Sequence, residues 1–192
     1  FACEYVISLT DETWRDAIEA FLGPRRYSIL VEPQYYDIAD DVLNRSSHKY
    51  AHLFNTNLLM RKELNPEADS VVHMLEIKNE AAKRYFEFQL GRMHAVELQQ
   101  VRNFENAISK EGRVSVAMDS YFLRLDRIGV YYLGQKIYEL NRIREEKEIR
   151  RIREEKQSVL EKRRELQNRK NRLNGDKAFF RSYAYEAPSK YQ

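Results

Sequence analysis

Chemistry in this chain would most readily come from paired carboxylates beside a lysine. Pro66-Glu67 followed by Glu76-Ile77-Lys78 imitates the PD…(D/E)xK arrangement of metal-dependent nucleases. In that arrangement two carboxylates hold Mg²⁺ and the lysine orients the attacking water, with the ExK on a strand. The motif is short and degenerate, and among 30 acidic residues and 33 Lys and Arg it arises easily. Glu67, Glu76 and Lys78 are therefore kept only as a remote Mg²⁺-dependent nuclease reading. His48 and His52 stand four apart, as on one helix face, but no Glu completes an HExxH, so packing or solvated histidines are the better reading. Cys3 is the one cysteine; it has no companion for a metal and can form no internal disulfide, which fits a reducing compartment. Gly23, Gly91, Gly112, Gly129, Gly134 and Gly175 occur in neither a GxxxxGK nor a GxGxxG setting, so no phosphate-binding loop is present. No catalytic residue, metal site or cofactor is expected within this chain.

The elements that would carry any function are sorted by charge. The chain has 192 residues and a net charge of +3. Asn141 to Arg172 contributes 13 Lys and Arg against 7 Glu, which is +6, and leaves the rest at −3. That segment has no Pro and no Gly before Gly175, and Arg, Glu, Lys, Leu and Gln dominate it, so a single helix is expected over roughly 135–174. Ile152, Val159, Leu166 and Leu173 recur every seven residues, with Ile149 three before Ile152. Such a seam needs a partner helix, although Lys156, Arg163 and Lys170 make it thin. Arg150, Arg151, Arg163, Arg164, Arg169 and Lys170 along the same arm are candidate nucleic-acid contacts, against the alternative of a solvated coiled-coil exterior.

Residues 1–134 alternate strand-like and helix-like stretches. Glu4 to Leu9 reads as a strand, Thr10 as a helix cap, and Trp14, Ala17, Ile18, Phe21 and Leu22 share a helical face ended by Gly23-Pro24. Tyr27 to Val31 reads as a buried strand, Pro33 opens a further helix, and Tyr50 to Phe54 is a candidate strand. A second pass repeats the order: Val71 to Glu76 as strand, Asn79 to Leu90 as helix, Gly91 as its end and Met93 to Val96 as strand. Glu19-Ala20-Phe21-Leu22-Gly23 aligns with Glu87-Phe88-Gln89-Leu90-Gly91 at an offset of 68, which points to two related half-domains. Lys110 to Arg113 then forms a turn, Tyr121 to Leu125 a strand, and Tyr131-Tyr132-Leu133-Gly134 leads into the long helix. The fold class read from this is α+β, with a domain at 1–134 in halves of about 1–66 and 67–134, an arm helix at 135–174 and a tail at 175–192 without an assigned role.

Several stretches carry a family resemblance. Trp14-Arg15-Asp16-Ala17-Ile18-Glu19-Ala20-Phe21-Leu22-Gly23, Arg26 to Pro33, Tyr35 to Ala39, Ala82 to Arg92, Ile108 to Gly112 and Tyr132 to Lys136 resemble hinges of the MukB-like branch of SMC proteins. The likeness is greatest to the SMC-like ATPase subunits of Wadjet plasmid-defence complexes and covers about 2–140. The resemblance implies a hinge that homodimerises and joins two antiparallel coiled-coil arms. It also implies an ATPase head, with its ATP and Mg²⁺, outside this chain. Further implied partners are DNA, extruded as loops, and other Wadjet or condensin-like subunits, one of them a separate nuclease. A cytoplasmic, nucleoid-associated setting without a membrane goes with that reading. Gly112 and Gly134, with their neighbours Arg113 and Tyr132, are the candidate dimer-interface residues, because a two-fold contact made through backbone edges favours residues without side chains. The competing reading is a nucleic-acid-binding module acting through the basic arm.

The remaining classes are narrowed by hydropathy. Apolar runs such as Val130 to Leu133 fall far short of the ~20 residues of a membrane-spanning helix, and the mean hydropathy is −0.72. Phe1 to Leu9 lacks a basic region followed by an apolar stretch, so no leader is expected there, and a start at Phe1 reads as a fragment of a longer chain.

Overall fold

The computed structural model describes residues 1–47 and 50–186, with side chains through 181. It divides into two units, 1–141 and 142–192.

Within the first unit the same order of elements occurs twice. A 3-10 turn (Ala2–Tyr5), strand β1 (Val6–Leu9) and helix α1 (Arg15–Leu22) end at Gly23. A second 3-10 turn (Val71–Met74), strand β2 (Leu75–Ile77) and helix α4 (Glu80–Leu90) end at Gly91. Between them lie α2 (Tyr36–Arg45) and α3 (Thr56–Arg61). The corresponding strands of the two repeats pair with each other: β1 runs antiparallel to β2, and the Ser8 hydroxyl donates to the Glu76 carboxylate at 2.6 Å.

Local sequence accounts for these elements. Asn79 caps α4 by accepting from the Ala82 N–H at 2.8 Å, and Ala82, Tyr85, Phe86 and Leu90 turn one stripe inward. Burying side chains the size of Phe86 or Leu90 stabilises by about 1.5–3 kcal/mol each. They pack with Val6, Ile18, Leu22, Val71, Ile108, Val114 and Leu133 in a core shared by both repeats. Four further strands, β3 (His94–Ala95), β4 (Ala107–Ile108), β5 (Arg113–Val116) and β6 (Asp119–Phe122), form a sheet in that spatial order. β3 and β4 are parallel and the other pairs antiparallel, which leaves β6 at an edge.

The chain departs from the pattern reading at defined points. Asp11, rather than Thr10, caps the entry to α1, its carboxylate accepting from the Thr13 N–H at 2.9 Å. Tyr27 to Val31 is no strand: its backbone makes one parallel bridge, Ile29 to Leu53, while Ser28 is taken up by Ala2 and by the Tyr85 hydroxyl. The Tyr50 to Phe54 stretch contributes only that bridge. Four of the six residues of the Val71 to Glu76 segment wind into a 3-10 turn begun by the Ser70 hydroxyl. Helix α3 carries too little periodicity to be read from sequence, yet Asn55 caps it by accepting from the Leu58 N–H at 2.8 Å.

The second unit is formed by α5, which spans Ile137–Glu186 and begins in the first. It continues through Gly175, where the sequence reading ends the arm. One glycine costs about 1 kcal/mol in a helix, too little to stop it between strong helix formers. Residues 187–192 of the tail lie outside the described residues.

Candidate functional site

The hairpin of β5 and β6 is the most exposed apolar feature of the first unit's sheet. Val114 and Ser115 of β5 are buried, whereas every residue of β6 is exposed, including Tyr121 and Phe122. The two strands join through Ala117 and Met118, which have φ of 50° and 69°. Two-residue hairpins favour such left-handed pairs, but usually with Asn or Gly, because an L side chain there costs ~1–2 kcal/mol. Two bonds from the neighbouring segment hold this turn: Ala117 N–H to the Asn106 side chain at 3.1 Å, and Met118 N–H to the Glu105 carbonyl at 3.3 Å. Their effect is to present Met118, 82% exposed, at the tip. Arg113 lies over the Phe122 ring at 5.3 Å, and with Leu98, Gln99 and Arg102 they line an open cavity of about 520 Å³.

A second apolar surface lies beside α2, a helix without a single buried residue. Ile29, Ala39, Val42, Leu43 and Leu53 line a groove of about 660 Å³. Asp37, Asp40 and Asp41 make that helix acidic, opposite in sign to the Arg102 and Arg113 side of the hairpin.

The proposed interface residues divide between surface and interior. Arg113 borders the hairpin cavity. Gly112 is buried at φ +81°, and a Cβ there would stand 2.9 Å from Leu125 Cγ, so its own fold explains the glycine. Gly134 is buried at φ +92°, its position for a Cβ only 3.2 Å from the Ile7 carbonyl. Tyr132 is half-buried, meeting Tyr27 edge-on at 5.0 Å and lying under Arg26 at 4.8 Å. Burial pushes the Tyr27 phenol above its ordinary value, and its hydrogen bond with Tyr132 adds to the rise. Sequence reasoning missed Met118, Phe122 and the α2 groove; the adjacent Tyr121-Phe122 pair was a partial signal, since neighbours on a strand face opposite sides of the sheet and only a sheet covered on both faces buries both.

Other candidates are placed as follows. Glu76 is engaged by Ser8, and no group of three or more His, Cys, Asp and Glu able to hold a metal occurs among the described residues. His48 lies outside the described residues. Burial raises the Cys3 thiol above its ordinary value. Along α5, Ile149, Ile152, Val159, Leu166 and Leu173 are all exposed. Arg151 is bracketed by Glu148 at 2.6 Å and Glu155 at 3.1 Å. Arg150, Arg163, Arg164, Arg169 and Lys170 are exposed on the same helix. No helix among the described residues is long and apolar enough to cross a membrane.

No protein-family model matches the chain, and no curated protein matches it. Among solved structures, a Pyrococcus furiosus Smc hinge domain with an extended coiled coil aligns at a TM-score of 0.50 and 20% identity, covering 79% of this chain and 54% of that one. The fold is that of an SMC hinge. A Pyrococcus furiosus SMC hinge domain aligns at 0.47 and 19% identity over 71% of this chain and 78% of that one. A hinge from Geobacillus stearothermophilus, solved as an asymmetric dimer, aligns at 0.47 and 14% identity over 62% and 56%. The chain thus spans about half the length of two of these three structures. Its long C-terminal helix with an exposed heptad seam is consistent with a coiled-coil arm on that fold.

Proposed function

We propose that this chain is the homodimerisation hinge of an SMC-like ATPase of the JetC type found in Wadjet complexes, without a reaction of its own. The observation that supports this most is the exposed β6 strand at the edge of its sheet, with no strand paired on its outer side among the described residues and with aromatic side chains turned outward on a hinge fold. An edge strand of this kind is a template for pairing with another chain unless it is covered. Met118, Tyr121, Phe122 and Arg113 form the interface, and the acidic α2 groove is a candidate for its complement. Gly112 and Gly134 serve it from within, by shaping the hairpin's base and the exit to the arm.

The residue pattern across 2–140 supports the finer assignment. On that reading the arm pairs with a helix of the same polypeptide, and ATP and Mg²⁺ act at a head elsewhere in it. DNA and the companion subunits, a nuclease among them, then belong to the assembled complex, in plasmid defence or chromosome organisation in the cytoplasm. The test is the double variant Tyr121→Asp, Phe122→Asp, both at exposed positions. It should run as a monomer by sedimentation with unchanged circular dichroism; a variant as dimeric as the parent refutes the β6 interface.

A second reading rests on the exposed Arg150, Arg163, Arg164, Arg169 and Lys170: a salt-sensitive nucleic-acid contact through the arm. Replacing Arg150, Arg151, Arg163 and Arg164 with Glu should abolish DNA binding, and unchanged binding would remove that reading.

A further inference from the structure

The backbone that leads into α5 is held by side chains. Asn141 accepts from the Tyr131 N–H at 2.7 Å and donates to the Tyr131 carbonyl at 3.0 Å. The N–H groups of Tyr132 and Leu133 both donate to Glu19 Oε1 at 2.7 Å. Arg15 donates to the Leu133 carbonyl, and the Tyr131 hydroxyl donates to Asp16 at 2.5 Å. Asp16, Glu19 and Arg15 all project from α1, and at Gln135 the strap bonds to backbone, its N–H reaching the Ile7 carbonyl at 2.8 Å.

Glu19 is the centre of this arrangement. Its side chain is fully buried, and beyond the two backbone donors it is met by Arg26 at 2.9 Å, with Arg15 at 4.0 Å. A desolvated carboxylate is tolerable only while its donors are in place. Two of those donors belong to the strap, so lifting the strap strips the carboxylate of two of its three hydrogen bonds, and neutralising the carboxylate replaces two charge-assisted bonds to the strap with weaker neutral ones. Strap and carboxylate therefore close together.

We infer that Tyr131 to Gln135 is a latch: it opens and closes on α1 as one cooperative unit while the rest of the hinge stays folded, and Glu19 is the positioning residue that closes it. This goes beyond dimerisation and concerns how firmly the first turn of α5 is rooted in the hinge. Local opening of such units is ordinary behaviour of native proteins, read by hydrogen exchange.

Native-state hydrogen exchange on the full chain tests it. Glu19→Gln keeps the shape and removes the charge, and should speed exchange at Tyr132 and Leu133 on the order of a hundredfold, with Gln135 following and the amides of α4 unchanged. Asn141→Ala acts from the partly exposed side and should speed exchange from Tyr131 to Gln135 together by about tenfold, again without α4. It decides the matter if Glu19→Gln fails to fold. Acceleration of α4 by the same factor in Asn141→Ala, or acceleration at Tyr131 alone, would overturn the inference. The amides are read within one chain, so the outcome is separate from that of the dimer test.

Discussion

Gly112→Ala tests whether the glycine at the base of the β5–β6 hairpin is required by the chain's own fold. Its φ of +81° is a left-handed conformation in which an added Cβ costs about 1 kcal/mol. That Cβ would also stand 2.9, 3.0 and 3.1 Å from Leu125 Cγ, Cδ2 and Cδ1, close enough to force the leucine aside. Overpacking of this kind costs about 1–3 kcal/mol. The two terms together give a destabilisation of about 2–4 kcal/mol. In urea, with a slope near 2 kcal/mol/M, the midpoint should fall by about 1–2 M. Gly129→Ala is the control, because its backbone is not left-handed and no atom lies within 4 Å of the position its Cβ would take. Its midpoint should not move measurably. Equal midpoints for Gly112→Ala and the parent would refute the reasoning, above all if Gly112→Ala also lost dimerisation, since the glycine would then be serving contact between copies.

Two further predictions concern buried hydroxyl and thiol groups. Tyr85→Phe removes a hydroxyl that donates to the Arg25 carbonyl at 2.6 Å and is 2.9 Å from Ser28 Oγ, and should cost about 1–3 kcal/mol in urea unfolding, with no cost if water replaces it fully. Cys3 has its thiol raised above the ordinary value of 9.0 by burial, so the stability it contributes is whole below about that pH and is lost as pH rises through the folded value. Unfolding free energy should fall more steeply above pH 9 in the parent than in Cys3→Ala; parallel profiles would show that the thiol does not titrate on unfolding.

How much of this was legible in sequence follows from which forces set each part. The two helix endings at Leu22-Gly23 and Leu90-Gly91 were visible in sequence because each closes its helix with Leu-Gly, whereas the antiparallel pairing of β1 with β2 is a tertiary matter. The arm was visible because strong helix formers run through it without interruption, though its length was underestimated at Gly175. The Tyr27 to Val31 stretch looked like a strand by composition, but β-propensity reports fit to a half-buried surface, and here Tyr85 and the N-terminal turn claim Ser28 instead. Glu19 was hidden for a different reason. Arg15, Ile18, Glu19 and Leu22 occupy the inward spacing of α1, which places two opposite charges in a core stripe. Two charges at core positions four apart were a readable sign of a buried pair, but which backbone they would serve depends on a strap more than a hundred residues away. The exposure of β6 was likewise a tertiary matter, since its strand character says nothing of what lies beyond its edge.

The central claim is that this chain pairs with a second copy of itself. Molar mass by light scattering or sedimentation equilibrium at low micromolar concentration tests it most directly. The account predicts a persistent species of twice the chain's 23.0 kDa. A strict monomer across that range would contradict it.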